Sequence, residues 1–312
     1  MSQLGLQQLS SPEDADVDIV FVHGLFGNRV STWSKNGVLW PKQLLSEDLP
    51  KARIFTFGYD ADVTKRNLNE EVTKGTMDSH AADLCEKLAG LRSKTENSDR
   101  PLVFVAHSLG GLMVIKGALG DGTDNPSLIA NHTRGMVFLG TPFHGSPVAP
   151  WGKAISSMVS VIHATDSQKV KDLEQKSEKL QILAESFASA LHQRIRDKKE
   201  IRVAFFHETK KLHGFMASYC LYYFVVPERN SWIPGFADHS SINADHSSMT
   251  KFADEDSPGY QSVLAAIRKV SSNLEERTDP TSSAAGVVNN NWGEVKNQVL
   301  GDQTIHGGMT FN

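Results

Sequence analysis

Short apolar runs recur along the chain: "VDIVFVHG" (17–24), "RIFTFGY" (53–59), "LVFVAHS" (102–108), "GMVFLGTP" (135–142), "IRVAFFHET" (201–209) and "YYFVVP" (222–227). Runs of this length, bounded by turn residues and lacking a polar alternation, read as strands buried on both faces, the kind found in parallel sheets. Helical periodicity fills most of the gaps. Met77, Ala81, Leu84, Cys85, Leu88 and Leu91 share one face, as do Val263, Leu264, Ile267, Val270 and Leu274. Strands alternating with helices predict an α/β fold with a mostly parallel, doubly wound sheet. Residues 151–200 break the rhythm: "DSQKVKDLEQKSEKLQILAESFASALHQRIRDKK" reads as one long amphipathic helix or two shorter ones. An insertion there is expected to lie over the C-terminal strand ends as a helical lid. The pattern stops after about residue 275, where "EERTDPTSSAAGVV" has linker composition. The expected organisation is a globular domain over 1–276, a flexible linker over 277–288 and a short tail over 289–312.

Composition narrows the classes. With 312 residues, 39% hydrophobic and 22% charged, the chain has ample material for a core. A net charge of −4 without a Lys/Arg-rich patch gives no reason to expect a nucleic-acid partner. No apolar stretch approaches the length of a membrane-spanning helix. The N-terminus "MSQLGLQQLSSPEDADVD" lacks the basic start and apolar run of a secretory signal. Cys85 and Cys220 are too few for a disulfide framework and read as buried thiols, so a cytoplasmic location is expected. No metal-ligand spacing such as H-E-x-x-H occurs, and "GDGTDNP" (120–126) lacks the lysine and following helix of a phosphate loop. Neither a metal nor a cofactor is expected.

The chemistry concentrates in "LVFVAHSLGGLMVIKGAL", where an apolar strand runs into His-Ser-Leu-Gly-Gly and directly into a helix. That is the context of a nucleophile elbow, in which a serine sits on a strained strand-to-helix turn. Small neighbours are needed there; Ala106 and Gly110 supply them, with Ala106 departing from the G-x-S-x-G form. Ser108 is therefore the candidate nucleophile, and the helix N-terminus below it favours a developing oxyanion. The earlier "FVHGLFGN" has the form of the loop that donates one oxyanion amide, the residue after the nucleophile donating the other. Leu25 and Leu109 are the candidates, both through backbone N–H.

The triad order in this architecture is serine, carboxylate, histidine. His239 and His246 follow the last expected strand, and His306 lies in the tail. His246, in "NADHSSMTKF", leads toward the final helical region and is the better placed. For the carboxylate, Glu208 ends "VAFFHE" and Glu228 follows "FVVP", with Asp238 and Asp245 as further options. Counting the elbow strand as fifth makes "VAFFHE" the seventh, after which the acid usually falls, and this selects Glu208.

These residues resemble a branch of the α/β hydrolases. "DIVFVHGLFGNRVSTW", "WPKQLLSEDLPKARIFTFGYDA", "VFVAHSLGGLMVIKGAL", "FLGTPFHGS", "FFHET", "VVPERNSW" and "ADHSSMTKF" are similar to the serine-active-site-containing and GPI inositol-deacylase-like lipases, over roughly residues 4–270. The resemblance implies an α/β-hydrolase fold, an ester-cleaving or acyl-transferring activity on lipids, and roles for Ser108, Glu208 and His246. Asn-Ser-Trp after Glu228, where those lipases more often have Glu-Ser-Ala, counts against Glu228. The tail "NNNWGEVKNQVLGDQTIHGGMTF" (289–311) behind such a domain resembles a fungal arrangement, that of SesB-like proteins with a prion-forming amyloid signalling motif. What this implies is self-assembly through residues 289–312, templated by a NOD-like receptor with a matching motif, in programmed cell death or heterokaryon incompatibility. Peripheral membrane contact would follow from a lipid or ester substrate. Val295, Asn297 and Val299 alternate, and Leu300, Ile305, Met309 and Phe311 add apolar contacts suited to a cross-β stack. Two other readings are a catalytically idle adaptor and a housekeeping lipid-remodelling esterase.

Overall fold

A computed structural model describes residues 4–25, 27–61, 74–94, 99–119, 126–143, 168–216, 219–223, 226, 228, 231–236 and 238–272. In chain order they form β1 (Gly5–Ser10), β2 (Val17–Val22), a short ribbon of β3 (Ser34–Lys35) and β4 (Val38–Leu39), and the one-turn helices α1 (Trp40–Gln43) and α2 (Leu45–Asp48). Next come β5 (Ala52–Gly58), α3 (Lys74–Arg92), β6 (Leu102–His107), α4 (Leu109–Leu119), α5 (Pro126–His132) and β7 (Thr133–Leu139). The remainder is α6 (Gln168–Arg196), β8 (Arg202–Glu208), the hairpin β9 (Leu212–Met216) and β10 (Tyr219–Tyr223), β11 (His239–Ile242) and α7 (Pro258–Ser271).

The main sheet runs β1-β5-β2-β6-β7-β8-β11. β1 pairs antiparallel with β5, and every other neighbour pair in this sheet is parallel. An antiparallel edge followed by exchanged central strands is the α/β-hydrolase arrangement. It gathers the C-terminal ends of β2, β6, β7 and β8 at one rim, where α/β sheets bind ligands.

Alternation along each strand divides the core. Leu102, Phe104 and Ala106 of β6 face α3 and α4, while Val103 and Val105 face the layer of Tyr260, Val263, Leu264, Ile267 and Val270 on α7. One expectation is corrected here. Among the described residues "YYFVVP" adds no strand to the main sheet: Tyr219–Tyr223 pairs with Leu212–Met216 in a separate hairpin, and β11 takes the place beside β8. An apolar run fits a hairpin strand as well as a central one, so hydrophobicity alone did not separate them. The 151–200 segment also contributes to the core. Residues 151–167 lie outside the described residues, but Ala184, Phe187 and Leu191 of α6 are buried in the core with Phe138 and Phe205. This half of α6 is the crossover that two adjacent parallel strands, β7 and β8, require. β1 was not anticipated, because "GLQQLS" is half polar and lies on a sheet edge.

The chain divides into the units Met1–Ser272 and Asn273–Asn312. The expected linker and the tail, with His306, lie outside the described residues. Among the described residues no helix is long and apolar enough to cross a membrane.

The N-terminal rim of the sheet is fastened by charge. Asp18, with its side chain 1% exposed, receives both ends of the Arg53 guanidinium at 2.8 Å, Nη1 of Arg92 at 2.5 Å and Nη1 of Arg100 at 3.3 Å. Arg92 and Arg100 also donate to the carbonyls of Arg100 and Ala15. One carboxylate therefore ties β2, β5, α3 and the approach to β6, and it neutralises part of a buried positive cluster. Replacing Asp18 by Asn is expected to cost about 3–5 kcal/mol, because it strands buried guanidinium charge. Asp14→Asn, on a partner that is 69% exposed in a 3.8 Å pair with Lys51, should cost less than about 1 kcal/mol. Urea unfolding of the two variants checks this, and equal costs would contradict it.

Candidate active site

β6 ends at His107 and α4 begins at Leu109, leaving Ser108 alone in the turn with φ +52°. A non-glycine residue in this left-handed region carries strain, which persists only where the surroundings impose it. They do so on both sides. The Ser108 N–H donates to Leu139 O at 2.9 Å, extending the β6–β7 ladder by one residue. Its carbonyl accepts from Gly111 N at 3.0 Å and from the Thr141 hydroxyl at 3.1 Å.

Close packing explains the small residues. A Cβ on Gly24 would lie 2.7 Å from Ser108 Cβ, and one on Gly110 would lie 2.3 Å from the His23 carbonyl oxygen. The end of β2 and the elbow thus touch backbone to backbone, and any side chain at either glycine would force them apart. Ala106 is fully buried on the same strand, where a larger residue would meet α4.

His23 is buried, stacked on Tyr59 at 4.4 Å and 5°. Its Nε2 accepts the Tyr59 backbone N–H at 3.3 Å, so the proton sits on Nδ1, which donates to Gly24 O at 2.9 Å. Tyr59 returns a hydroxyl bond to the His23 carbonyl at 2.9 Å. The loop beyond is held by Gly27 N–H on the same Gly24 oxygen and by the Asn28 side chain accepting from Val30 and Ser31 N–H. Leu25 lies in this loop; Phe26 lies outside the described residues.

Glu208 closes β8 with its side chain fully buried. One oxygen accepts Val226 N–H at 2.7 Å, and the other faces His246 Nδ1 at 3.4 Å, long for a hydrogen bond. With a carboxylate at Nδ1, the tautomer places the proton there and leaves Nε2 as an acceptor. That Nε2 is buried and has no hydrogen-bond partner among the described residues. The imidazole lies against Gly140, whose φ is +58° and where a Cβ would come within 2.9 Å of the ring. Gly140 follows Leu139, the residue that holds Ser108 N–H, so the ring sits beside the elbow.

The other candidates are placed elsewhere. His239 begins β11, exposed and stacked on Trp232 at 4.9 Å, at the opposite end of the strand from the His246 loop. Asp238 pairs with Lys269 at 2.5 Å. Asp245 is occupied in capping its own turn, accepting from Ser247 N, Ser248 N and the Ser248 hydroxyl. Glu228 is 64% exposed and 4.0 Å from His207, not beside His246. Among the described residues no group of three or more His, Cys, Asp or Glu is placed to hold a metal ion.

Sequence reasoning missed His107, treating it as the variable position of the elbow. Its Nε2–H donates to the His246 carbonyl at 3.0 Å, and the two rings lie 4.8 Å apart. The signal was available in strand parity: His107 follows Val103 and Val105 on the face opposite Ala106.

Burial pushes His23 down to about 4, against the raising effect of its bond to Gly24. Burial, then the neighbouring His246, lowers His107 as well. Both are therefore neutral in the folded chain at neutral pH. The unfolded chain binds a proton at His23 as pH falls through 6.5 and the native chain does not until about 4. Stability contributed by His23 is present above 6.5 and is lost across that window, by roughly 3 kcal/mol. Replacing His23 by Gln should flatten the pH dependence of the unfolding free energy by that order. Identical slopes in wild type and variant would contradict it.

Known proteins add a lineage to this geometry. Protein SERAC1 from Homo sapiens is 28% identical over 282 residues, covering 84% of this chain and 40% of that protein. The Danio rerio protein of the same name is 28% identical over 284 residues with the same coverage. The chain thus spans about 40% of the length of these curated relatives. Among solved structures, a lipase-esterase related protein from Clostridium acetobutylicum is 12% identical with a TM-score of 0.42, covering 86% of this chain and all of that one. MenH from S. aureus is 10% identical with a TM-score of 0.45, covering 86% of this chain and 99% of that one. The family described as "Putative serine esterase (DUF676)" matches residues 13–199, more than half of the chain, and the chain belongs to that family.

Proposed function

We propose that the chain is a serine ester hydrolase in which Ser108 is the nucleophile, His246 the base and Glu208 the group that orients it. The observation that carries this reading is the pairing of a strained serine elbow with a buried imidazole whose Nδ1 faces a carboxylate and whose Nε2 has no hydrogen-bond partner among the described residues. Nε2 takes the Ser108 proton as Oγ attacks an ester carbonyl. The Glu208 carboxylate stabilises the imidazolium. The proton then passes to the leaving alcohol, and water or another acceptor attacks the acyl-enzyme by the reverse sequence. The 3.4 Å Glu208–His246 separation suits a resting site that tightens when substrate is bound.

The oxyanion is assigned to the backbone N–H groups of Leu109 and Leu25. Leu109 opens α4 directly after Ser108, at the positive end of the helix. For Leu25, His23 and Gly27 hold the Gly24 carbonyl in place, and a planar trans peptide turns the next N–H to the opposite side. The substrate is a lipid or other ester, consistent with the lipase resemblance of the sequence. No cofactor enters this mechanism.

The wider role is a cytoplasmic effector of programmed cell death or heterokaryon incompatibility. A NOD-like receptor with a matching motif would template residues 289–312 into a cross-β assembly and cluster the hydrolase, with membrane lipids as a peripheral contact. Support for this comes from the sequence of the tail and its place behind a hydrolase domain. A catalytically idle adaptor would lose signalling on deletion of 289–312 but keep it in Ser108→Ala.

On a p-nitrophenyl ester, Ser108→Ala and His246→Ala are expected to lower kcat by at least about 10³-fold, and Glu208→Gln by about 10²–10⁴-fold. Glu228→Gln should stay within about twofold of wild type. Activity retained in Glu208→Gln and lost in Glu228→Gln would reverse the choice of acid. A peptide of residues 289–312 should form thioflavin-positive fibres with a ~4.7 Å reflection; a persistently soluble coil would refute templating.

A further inference from the structure

We infer that His107 is a positioning residue that sets the base against the nucleophile through the main chain of His246. The inference rests on the Ser108–His246–Glu208 assignment and adds a fourth side chain to it. His107 and Ser108 are covalent neighbours, so whatever fixes the first fixes the origin of the second. A carbonyl oxygen only accepts, so the 3.0 Å contact requires the His107 proton on Nε2. The bond spans 139 residues of sequence and is buried. It is shorter than the 3.4 Å contact through which Glu208 holds the imidazole itself. Glu208 therefore governs the ring's tautomer and rotation, while His107 governs where the backbone carrying that ring sits relative to the elbow.

The rest of the His246 turn does not supply this link. Asp245 fastens Ser247 and Ser248 within the turn, and Ala244 O accepts from Lys210 N at 3.0 Å on the β8 side. Among the described residues the main-chain attachment of residue 246 to the β6 end is the His107 bond. Ring packing adds to it: the two imidazoles lie 4.8 Å apart at 40°. A neutral His107 can remain there when His246 becomes an imidazolium, whereas a cationic residue 107 would oppose that charge. Histidine suits the position because its Nε2–H reaches the carbonyl from a buried strand terminus without bringing a permanent charge.

The side-chain geometry provides a test that separates this role from packing. A glutamine places its amide nitrogen as many bonds from Cα as histidine Nε2, and asparagine places its own one bond nearer, at the Nδ1 position. Leucine fills space and donates nothing. The rate constant for inactivation by a fluorophosphonate would be measured on the full chain for wild type and His107→Gln, →Asn and →Leu, with thermal midpoints recorded in parallel. His107→Gln is expected to retain the rate within about threefold. His107→Asn and His107→Leu should slow it by about tenfold or more, the scale associated with misplacing a reacting group by a fraction of an ångström. On an ester substrate the same loss should appear in kcat, with KM within about twofold. If leucine fails to fold, the glutamine–asparagine comparison decides the matter alone. Wild-type rates in Asn or Leu, or a Gln rate as low as Leu at an unchanged midpoint, would overturn the inference. Labelling that persists in Ser108→Ala would instead overturn the nucleophile assignment beneath it.

Discussion

The left-handed backbone at Ser108 is the constraint on which the rest of the structure depends. A serine at φ +52° is unfavourable by itself, and it is held by four neighbours at once. Leu139 O on β7 accepts its N–H, the Thr141 hydroxyl and Gly111 N–H donate to its carbonyl, and Gly24 at the end of β2 abuts its Cβ. Each contact requires β2, β6 and β7 to end at matching heights, so the register of the parallel sheet is also the geometry of the site. The glycines at 24 and 110 follow from the same requirement, because a single methyl at either would separate β2 from the elbow.

The two rims of the sheet are stabilised in opposite ways. At the N-terminal rim, buried charge is retained and paired around Asp18. At the C-terminal rim, burial removes charge: His23 and His107 are driven neutral and serve as directional hydrogen-bond donors to Gly24 O and His246 O. In the proposed mechanism an oxyanion and an imidazolium form and vanish here, and neutral donors beside them add no further fixed charge. Glu208, the carboxylate assigned there, accepts Val226 N–H and faces His246.

Much of this was legible from residue types. The central strands announce themselves as apolar runs, and the elbow as a serine among small residues between a strand and a helix. What was not legible involves choices that hydrophobicity does not make. "YYFVVP" and a central strand look alike, yet one pairs locally in a hairpin and leaves β11, a polar "HSSI", to complete the sheet. α6 reads as amphipathic from its sequence, and the burial of Ala184, Phe187 and Leu191 in the core is a tertiary fact. Glu208 and Glu228 both end apolar segments; proximity to His246 is a tertiary fact. Strand parity gives the face that His107 takes but not its partner, because a backbone carbonyl leaves no trace in residue identity.

The central claim is that Ser108 is the reactive serine of this fold. Treating the full chain with an organophosphate ester and mapping the adduct by peptide mass spectrometry tests it most directly. The account predicts one phosphoryl group per chain, on the peptide containing Ser108 at that residue, and none when the protein is unfolded before treatment. An adduct on another residue, or no adduct on natively folded protein, would contradict it.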